Sequence, residues 1–455
     1  MKKNIQFSLA VAIAAPFTNV LSAAQADGAE SEALRERVHA LEQELTTISK
    51  RLDSADQATA TAPKVTLNDK GISLASADGA YAIKFRGVAQ FDSRLFFDDG
   101  GMTNNSFLLR RARIITEGVF AKNFTFQFVP EFGGSSVSIL DAAIGVTLDK
   151  SLQLKFGKFT PPLGLERLQG VCWTFFNEAS LVSNLVPVRD VGAQVSGLFA
   201  NGTVNYAVGV FGGVADNAAS SNSDFDNDKD LIARVYATPF KNQAGSSLQG
   251  LSLGVAVSSG RAKTTAGRTA GYKTDGQQTF FSYAAATTAD GRTWRIAPQL
   301  DYRRGSFGAM GEYVISAVHV RQDVAGETTK LENKAWQFSS GYVLTGEQSS
   351  YTGVVPRTNF NLAAGTWGAF EVVARYSNLN IDNKAFPLFA SPATNANEAS
   401  SVGLGLNWYL SKVVLFSTDY YQTRFGFNSA APTMPTTQIL RQDEKALIMR
   451  VQIAF

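Results

Sequence analysis

From about Val65 to its end the chain alternates. Phe85, Gly87, Ala89, Phe91, Ser93 and Leu95 interleave with Arg86, Val88, Gln90, Asp92 and Arg94, and Phe124, Phe126 and Phe128 with Asn123, Thr125 and Gln127. Trp294, Ile296, Pro298, Leu300 and Tyr302 oppose Arg295, Ala297, Gln299, Asp301 and Arg303; Trp336, Phe338, Ser340, Tyr342 and Leu344 oppose Gln337, Ser339, Gly341 and Thr345. A period of two with one apolar and one charged face is the pattern of a half-buried strand. Its persistence through Val402, Leu404, Leu406, Trp408 and Leu410 predicts one large all-β unit rather than several small domains.

Alternation alone does not say which face is inside. In a soluble sandwich the apolar faces pack together; in a membrane barrel they face lipid. Two features favour the barrel. Aromatic residues gather toward strand ends, at Tyr81, Trp294, Trp408-Tyr409 and Tyr420-Tyr421, as girdles at two interfaces would. The chain also closes in LIMRVQIAF, where Leu447, Met449, Val451, Ile453 and Phe455 form an apolar face ending in an aromatic residue, which resembles the insertion signal of outer-membrane barrels. No run of 18 apolar residues follows the first 30 positions, so no helical span is expected. Roughly 390 residues at roughly 10 per strand predict a transmembrane antiparallel β-barrel of about 16 strands around an aqueous lumen. Gly-, Asp-, Asn- and Ser-rich breaks at 98–105, 216–230, 261–277 and 382–398 are expected to be the longer exposed loops, with short turns such as 121–123 and 148–150 opposite.

The first 64 residues differ. Lys2-Lys3, an apolar stretch from Phe7 to Val20 and Ala24-Gln25-Ala26 predict a signal peptide over residues 1–26, hence an exported protein. Residues 27–64 are expected to be a periplasmic helix and linker. Leu34, Val38, Leu41, Leu45, Ile48 and Leu52 follow 4-3 spacing, the seam of a short coiled coil, which so brief a helix forms only where something downstream already gathers copies. His39 lies on its polar side, and ADQATATAP (55–63) is expected to be the linker.

The stretch LQLKFGKFTPPLGLERL (152–168) opens as a strand and stops at Pro161-Pro162, where ladder donors are lost. The segment from about 159 to 188 is rich in large residues, and Trp173, Phe175 and Phe176 are expected to pack it against the inside of the barrel, narrowing the lumen. A surface loop stiffened by prolines is the alternative.

SFLLRRARIITEGVF (106–120), LKFGKFTPPLGLERL, LVPVRDVGAQVSGLF (185–199), VNYAVGVFGG and IARVYATPF, in that order, resemble the phosphate-selective porin O and P family over most of residues 80–455. The resemblance implies a homotrimer of 16-stranded barrels in the bacterial outer membrane. It also implies an anion-preferring pore for small solutes such as phosphate or polyphosphate, with an inward-folded third loop and an arginine ladder leading to a lysine-lined constriction. The ladder positions it implies are Arg110, Arg111 and Arg113, with Arg189 and Arg234; Arg86 and Arg167 are further candidates on a polar strand face and the inward segment. No lysine occurs between Lys158 and Lys229, so Lys155 and Lys158 are all that represents a lysine cluster, and general anion preference is the safer expectation. Guanidinium groups keep their charge and offer planar donor forks to oxyanions. The plainer alternative pairs these arginines with Glu117, Glu131, Asp92 and Asp301 as the ordinary lining of a porin without strong anion selectivity.

Other constellations are weaker. The formal charge of +3 gives no basis for nucleic-acid binding by the whole chain. Asp224, Asp226, Asp228 and Asp230 alternate like calcium ligands, but the glycine and terminal Glu of an EF-hand are missing, so no metal site and no cofactor is expected. The lone Cys172 has no partner for a disulfide and is expected to be a small buried residue. Ser316 and His319 fall on opposite faces of one strand, which argues against a hydrolase. A structural tether acting through the N-terminal helix is the remaining alternative to a channel.

Overall fold

The computed structural model describes residues 28–97, 103–134, 136–222, 226–264, 269–427 and 443–455. The expected signal segment and Asp224 lie outside these. The chain divides into two units, Met1–Ala62 and Pro63–Phe455. In the first, α1 covers Gly28–Thr61. It runs through most of the expected linker, since that stretch contains neither Gly nor Pro before Pro63, which disfavours helical backbone in the residue ahead of it. The six seam residues are exposed in the single chain, from 51% at Val38 to 68% at Leu45.

The second unit begins with a hairpin, β1 (Lys64–Asn68) and β2 (Gly71–Ala75), whose second strand pairs with β3. Sixteen strands then close into an antiparallel barrel. They are β3 (Ala82–Phe97), β4 (Ser106–Phe120), β5 (Phe124–Glu131), β6 (Ser138–Thr147), β7 (Gln153–Phe159), β8 (Asp190–Phe199), β9 (Val204–Phe211), β10 (Asp230–Ala237), β11 (Leu251–Lys263), β14 (Thr287–Arg304), β15 (Phe307–Gln322), β16 (Thr328–Val343), β17 (Ala369–Asn380), β18 (Glu398–Tyr409), β19 (Val414–Gly426) and β20 (Asp443–Ala454). A small hairpin, β12 (Gly271–Lys273) with β13 (Thr279–Ser282), lies in the connection between β11 and β14. Closure comes from β20 pairing with β3, from Lys445 opposite Phe97 to Ala454 opposite Val88. Phe455 completes the seam through reciprocal backbone bonds of 3.0 Å with Gly87.

Burial answers the question that alternation left open. Gln90, Asp92, Asn333, Ser377, Asp419 and Arg450 point inward and are buried, while Phe91, Phe338, Leu404, Val451 and Phe455 are exposed on the outside. A polar interior under an apolar exterior is the arrangement of a barrel in lipid. Several short turns join strands at the end carrying Phe455; Ala121-Lys122 and Ala200-Asn201 both have positive φ, in loops that close Phe120 onto Phe124 and Phe199 onto Val204. An outward aromatic cluster marks that rim, where Trp408 stacks on Phe370 at 5.6 Å and donates to the Trp367 carbonyl.

Some expectations are corrected. Tyr409 and Tyr421 point into the barrel and are buried, so only their neighbours Trp408 and Tyr420 face outward. The connections 261–277 and 382–398 are not simply exposed: Tyr272, Asp275, Ala385, Phe389 and Ala390 are buried, and most of them join the packed apolar cluster in the barrel mouth. Their apolar residues had a surface to cover inside the lumen.

Candidate anion path and constriction

The segment after β7 folds into the barrel. Beyond Pro161-Pro162, one helical turn over Leu165–Leu168 presents the backbone N–H groups of Leu165 and Glu166 to the Glu312 carboxylate, at 2.7 and 3.2 Å. Further on, a 3-10 turn over Leu181–Leu185 buries Leu181, Val182 and Leu185 against Val314, Leu331, Ala335 and Leu379 of the wall. Between these anchors Phe175 lies beneath the Arg303 guanidinium at 4.4 Å, and Phe176 packs between Arg375, 4.5 Å away, and Tyr421. Both rings therefore hold the segment to the wall. Trp173 does not; its ring lies against Gly353, where an added Cβ would stand 2.5 Å from it. Gly353 belongs to the long connection 344–368, which rises from the opposite end: Tyr351 donates to the Leu165 carbonyl at 2.7 Å, and Gln169 to the Tyr351 carbonyl at 3.0 Å.

The segment is fastened along the β14–β20 side and, through Glu178, to Arg94 of β3 and Arg110 of β4, and the cavity left below it is lined chiefly from β3–β8. Glu178 is the hub of that border. It accepts from Arg94, Arg110 and Arg450, and Arg111 stands 3.8 Å away. Burial pushes the Glu178 carboxyl up, but the Arg110 guanidinium, by charge and hydrogen bond, with Arg111 and Arg450 behind it, holds it well below its ordinary value of 4.5. Arg450 also pairs with Asp92 at 2.6 Å. Four guanidiniums against two carboxylates leave this cluster net positive.

Alternation breaks within RRAR. Strict alternation sets Arg110 on the face opposite Arg111 and Arg113. The ladder instead slips at this point, with Gln90 opposite Arg111 and Phe91 opposite Leu109, so Arg110 is the extra residue of a β-bulge. The bulge turns two successive arginines inward, both lining the cavity on the mouth side of the inward segment together with Arg167. Arg167 donates to the Ser183 carbonyl, and burial lowers it to about 10, so it remains a cation at neutral pH.

Below the segment, a cavity of about 420 Å³ is lined by Arg86, Arg113 and Arg189 with Lys70, Lys84 and Lys412, and shares Val171 with the cavity above. Several of these cations have carboxylate partners: Arg86 with Glu117 at 2.8 Å, Arg113 with Glu131 at 2.6 Å and Arg189 with Asp141 at 2.8 Å. Arg303 likewise pairs with Asp301. The pairing alternative is thus present along much of the lining, alongside the uncompensated charge near Glu178. Lys155 lies over the Phe159 ring and lines a further cavity of about 540 Å³. Lys158 does not join it: its cross-strand neighbours are Ala142 and the outward-facing Val191, and its Nζ lies 3.4 Å from Asn222. Arg234 bonds Gln299 and stacks on Tyr236, lining neither cavity beside the inward segment. Cys172 is half-buried in the cavity wall.

Residues that sequence reasoning passed over hold the constriction together. Arg94, Arg375 and Arg450 follow the inward alternation of their strands and were legible as lumen residues. Glu178, in an irregular segment, carried no periodic signal. His319 is exposed and Ser316 buried, on opposite faces as expected. Among the described residues no group of His, Cys, Asp or Glu is arranged to hold a metal ion.

A closed barrel with a polar lumen, an apolar belt and an inward constriction is an outer-membrane porin. The family model of the phosphate-selective porins O and P matches residues 82–455. The chain belongs to that family, whose members are anion-preferring outer-membrane channels rather than enzymes. It is 24% identical over 392 residues to Porin O of Pseudomonas aeruginosa, covering 78% of this chain and 85% of that one. Among solved structures, the outer-membrane channel DcaP of Acinetobacter baumannii matches with a TM-score of 0.51 at 11% identity, over 83% of this chain and 98% of that one. An anion-selective porin from Comamonas acidovorans matches with a TM-score of 0.51 at 11% identity, over 82% and 100%.

Proposed function

We propose that small oxyanions, phosphate or polyphosphate among them, cross this porin along the β3–β8 side of the inward segment. They pass Arg110, Arg111 and Arg167 and then Arg113, Arg189 and Arg86. The observation carrying this reading is the net positive cluster around Glu178, beside the segment that folds into the lumen. A file of guanidiniums, many already engaged by carboxylates, lowers the barrier for an anion without one deep trap, which conduction requires. Guanidinium groups take the place of the missing lysines, so the preference is for anions in general, with phosphate one of several permeant species. Three copies assembled side by side fit the exposed seam of α1, which we place in the periplasm after export directed by residues 1–26. The test is the reversal potential across a planar bilayer under a salt gradient, first in chloride and then in phosphate. A cation-selective reversal potential would overturn the reading, and no conductance at all would move weight to a tether.

A further inference from the structure

On the outward pleat of β16, at the mouth end, the apolar belt gives way to charge. Trp336 and Phe338 are exposed to the surroundings, and the next outward positions are Lys334, Glu332 and Lys330. Lys330 and Lys334 both reach Glu332, at 3.4 and 3.2 Å, yet their side chains stay 43% and 49% exposed. Lys330 also lies over the outward Trp294 ring at 5.2 Å. With Lys384, Asn383 and Asn397 of the next mouth connection they line a cavity of about 420 Å³ open to the outside. The second carboxylate there, Asp382, is occupied by the backbone N–H groups of Glu332 and Lys384.

We propose that this recess binds the phosphate group of a membrane lipid, whose acyl chains lie down the Trp336 and Phe338 column. The reading rests on the outward face of the barrel meeting lipid, and is independent of the path taken by permeant anions. Ammonium groups immediately above a lipid-facing aromatic belt stand at headgroup height, where flexible lysine stems keep their charge at the polar boundary. Three lysines face two carboxylates, one of them shared between two lysines, so a phosphate finds donors and a net positive field. A free phosphate would gain the donors but nothing from the aromatic column, so the geometry favours a lipid.

The test is native mass spectrometry of the full chain in detergent, titrated with bisphosphorylated lipid A. A lysine near a membrane surface contributes roughly fivefold in affinity, so K330Q/K334Q/K384Q is expected to bind lipid A at least about tenfold more weakly. E332Q, which releases two ammonium groups, is expected to bind more tightly. Conductance and reversal potential should match the parent in both, because none of these side chains lines the lumen, and this also reports that the barrel is folded. Equal lipid A affinity in parent and triple variant would overturn the proposal. So would complete displacement of lipid A by millimolar inorganic phosphate, since that marks a site for free anions.

Discussion

Replacing Arg111 and Arg113 together by Gln removes two positive charges from the border of the inward segment while keeping amide donors in place. Gln90, which accepts from Arg111, retains a polar neighbour, and Glu131 keeps the backbone N–H groups of Ala112 and Gly133 after Arg113 is gone. The barrel should therefore fold. A unit charge about 5 Å from a permeating ion in water contributes ~0.8 kcal/mol, or about 0.5 kcal/mol after screening with a Debye length near 10 Å. Each lost charge makes the path less favourable for an anion and more favourable for a cation by that amount. The two charges thus change the anion-to-cation ratio by about 2 kcal/mol, roughly thirtyfold. In a bilayer with a tenfold potassium chloride gradient the reversal potential should move toward zero or change sign. An unchanged reversal potential in the double variant would refute the assignment of these arginines to the ion path.

Deleting Gly164 to Asn177 should raise single-channel conductance several-fold; equal conductance would place the constriction elsewhere, with the 344–368 connection the first candidate. The Glu178 tether should be insensitive to pH near neutrality. Its folded pKa is depressed, so its contribution is complete above the ordinary value of 4.5 and disappears as pH falls through the lower folded value; the difference in current noise between the parent and Glu178→Gln should stay constant down to about pH 4.5 and shrink only below. A difference that shrinks already near pH 6 would contradict that. At Gly87 an added Cβ would lie 2.7 Å from the Phe455 ring, so Gly87→Val should impair closure of the β3–β20 seam, read as loss of the heat-modifiable band on gels. Leu41→Asp with Leu45→Asp should lower the temperature at which the proposed trimer dissociates in detergent by placing charges in the α1 seam; an unchanged temperature would separate the helix from assembly.

Much of this protein was legible in its sequence. A period of two is a property of strand geometry, so Arg86, Asp92, Arg94 and Gln90 could be set on one face and Phe85 and Phe91 on the other without a structure. Length bounded the strand number near 16 and left 14 or 18 open, which closure of the ladder decided, and the prolines at 161–162 marked where a strand had to end. What the sequence left open was decided by contacts between residues far apart in the chain. Arg110 turned inward because a bulge against β3 broke the alternation, and register slips are set by the partner strand. Lys158, by contrast, follows unbroken alternation and shares the outward face of Phe156, so its place off the pore was readable from its own strand. Glu178 sits in irregular backbone, and only closure of the barrel brings Arg94, Arg110 and Arg450 from three strands onto one carboxylate. Ion pairing decides how much of a formal charge a passing anion meets. Pairing depends on distances of 3 to 4 Å that local sequence does not encode.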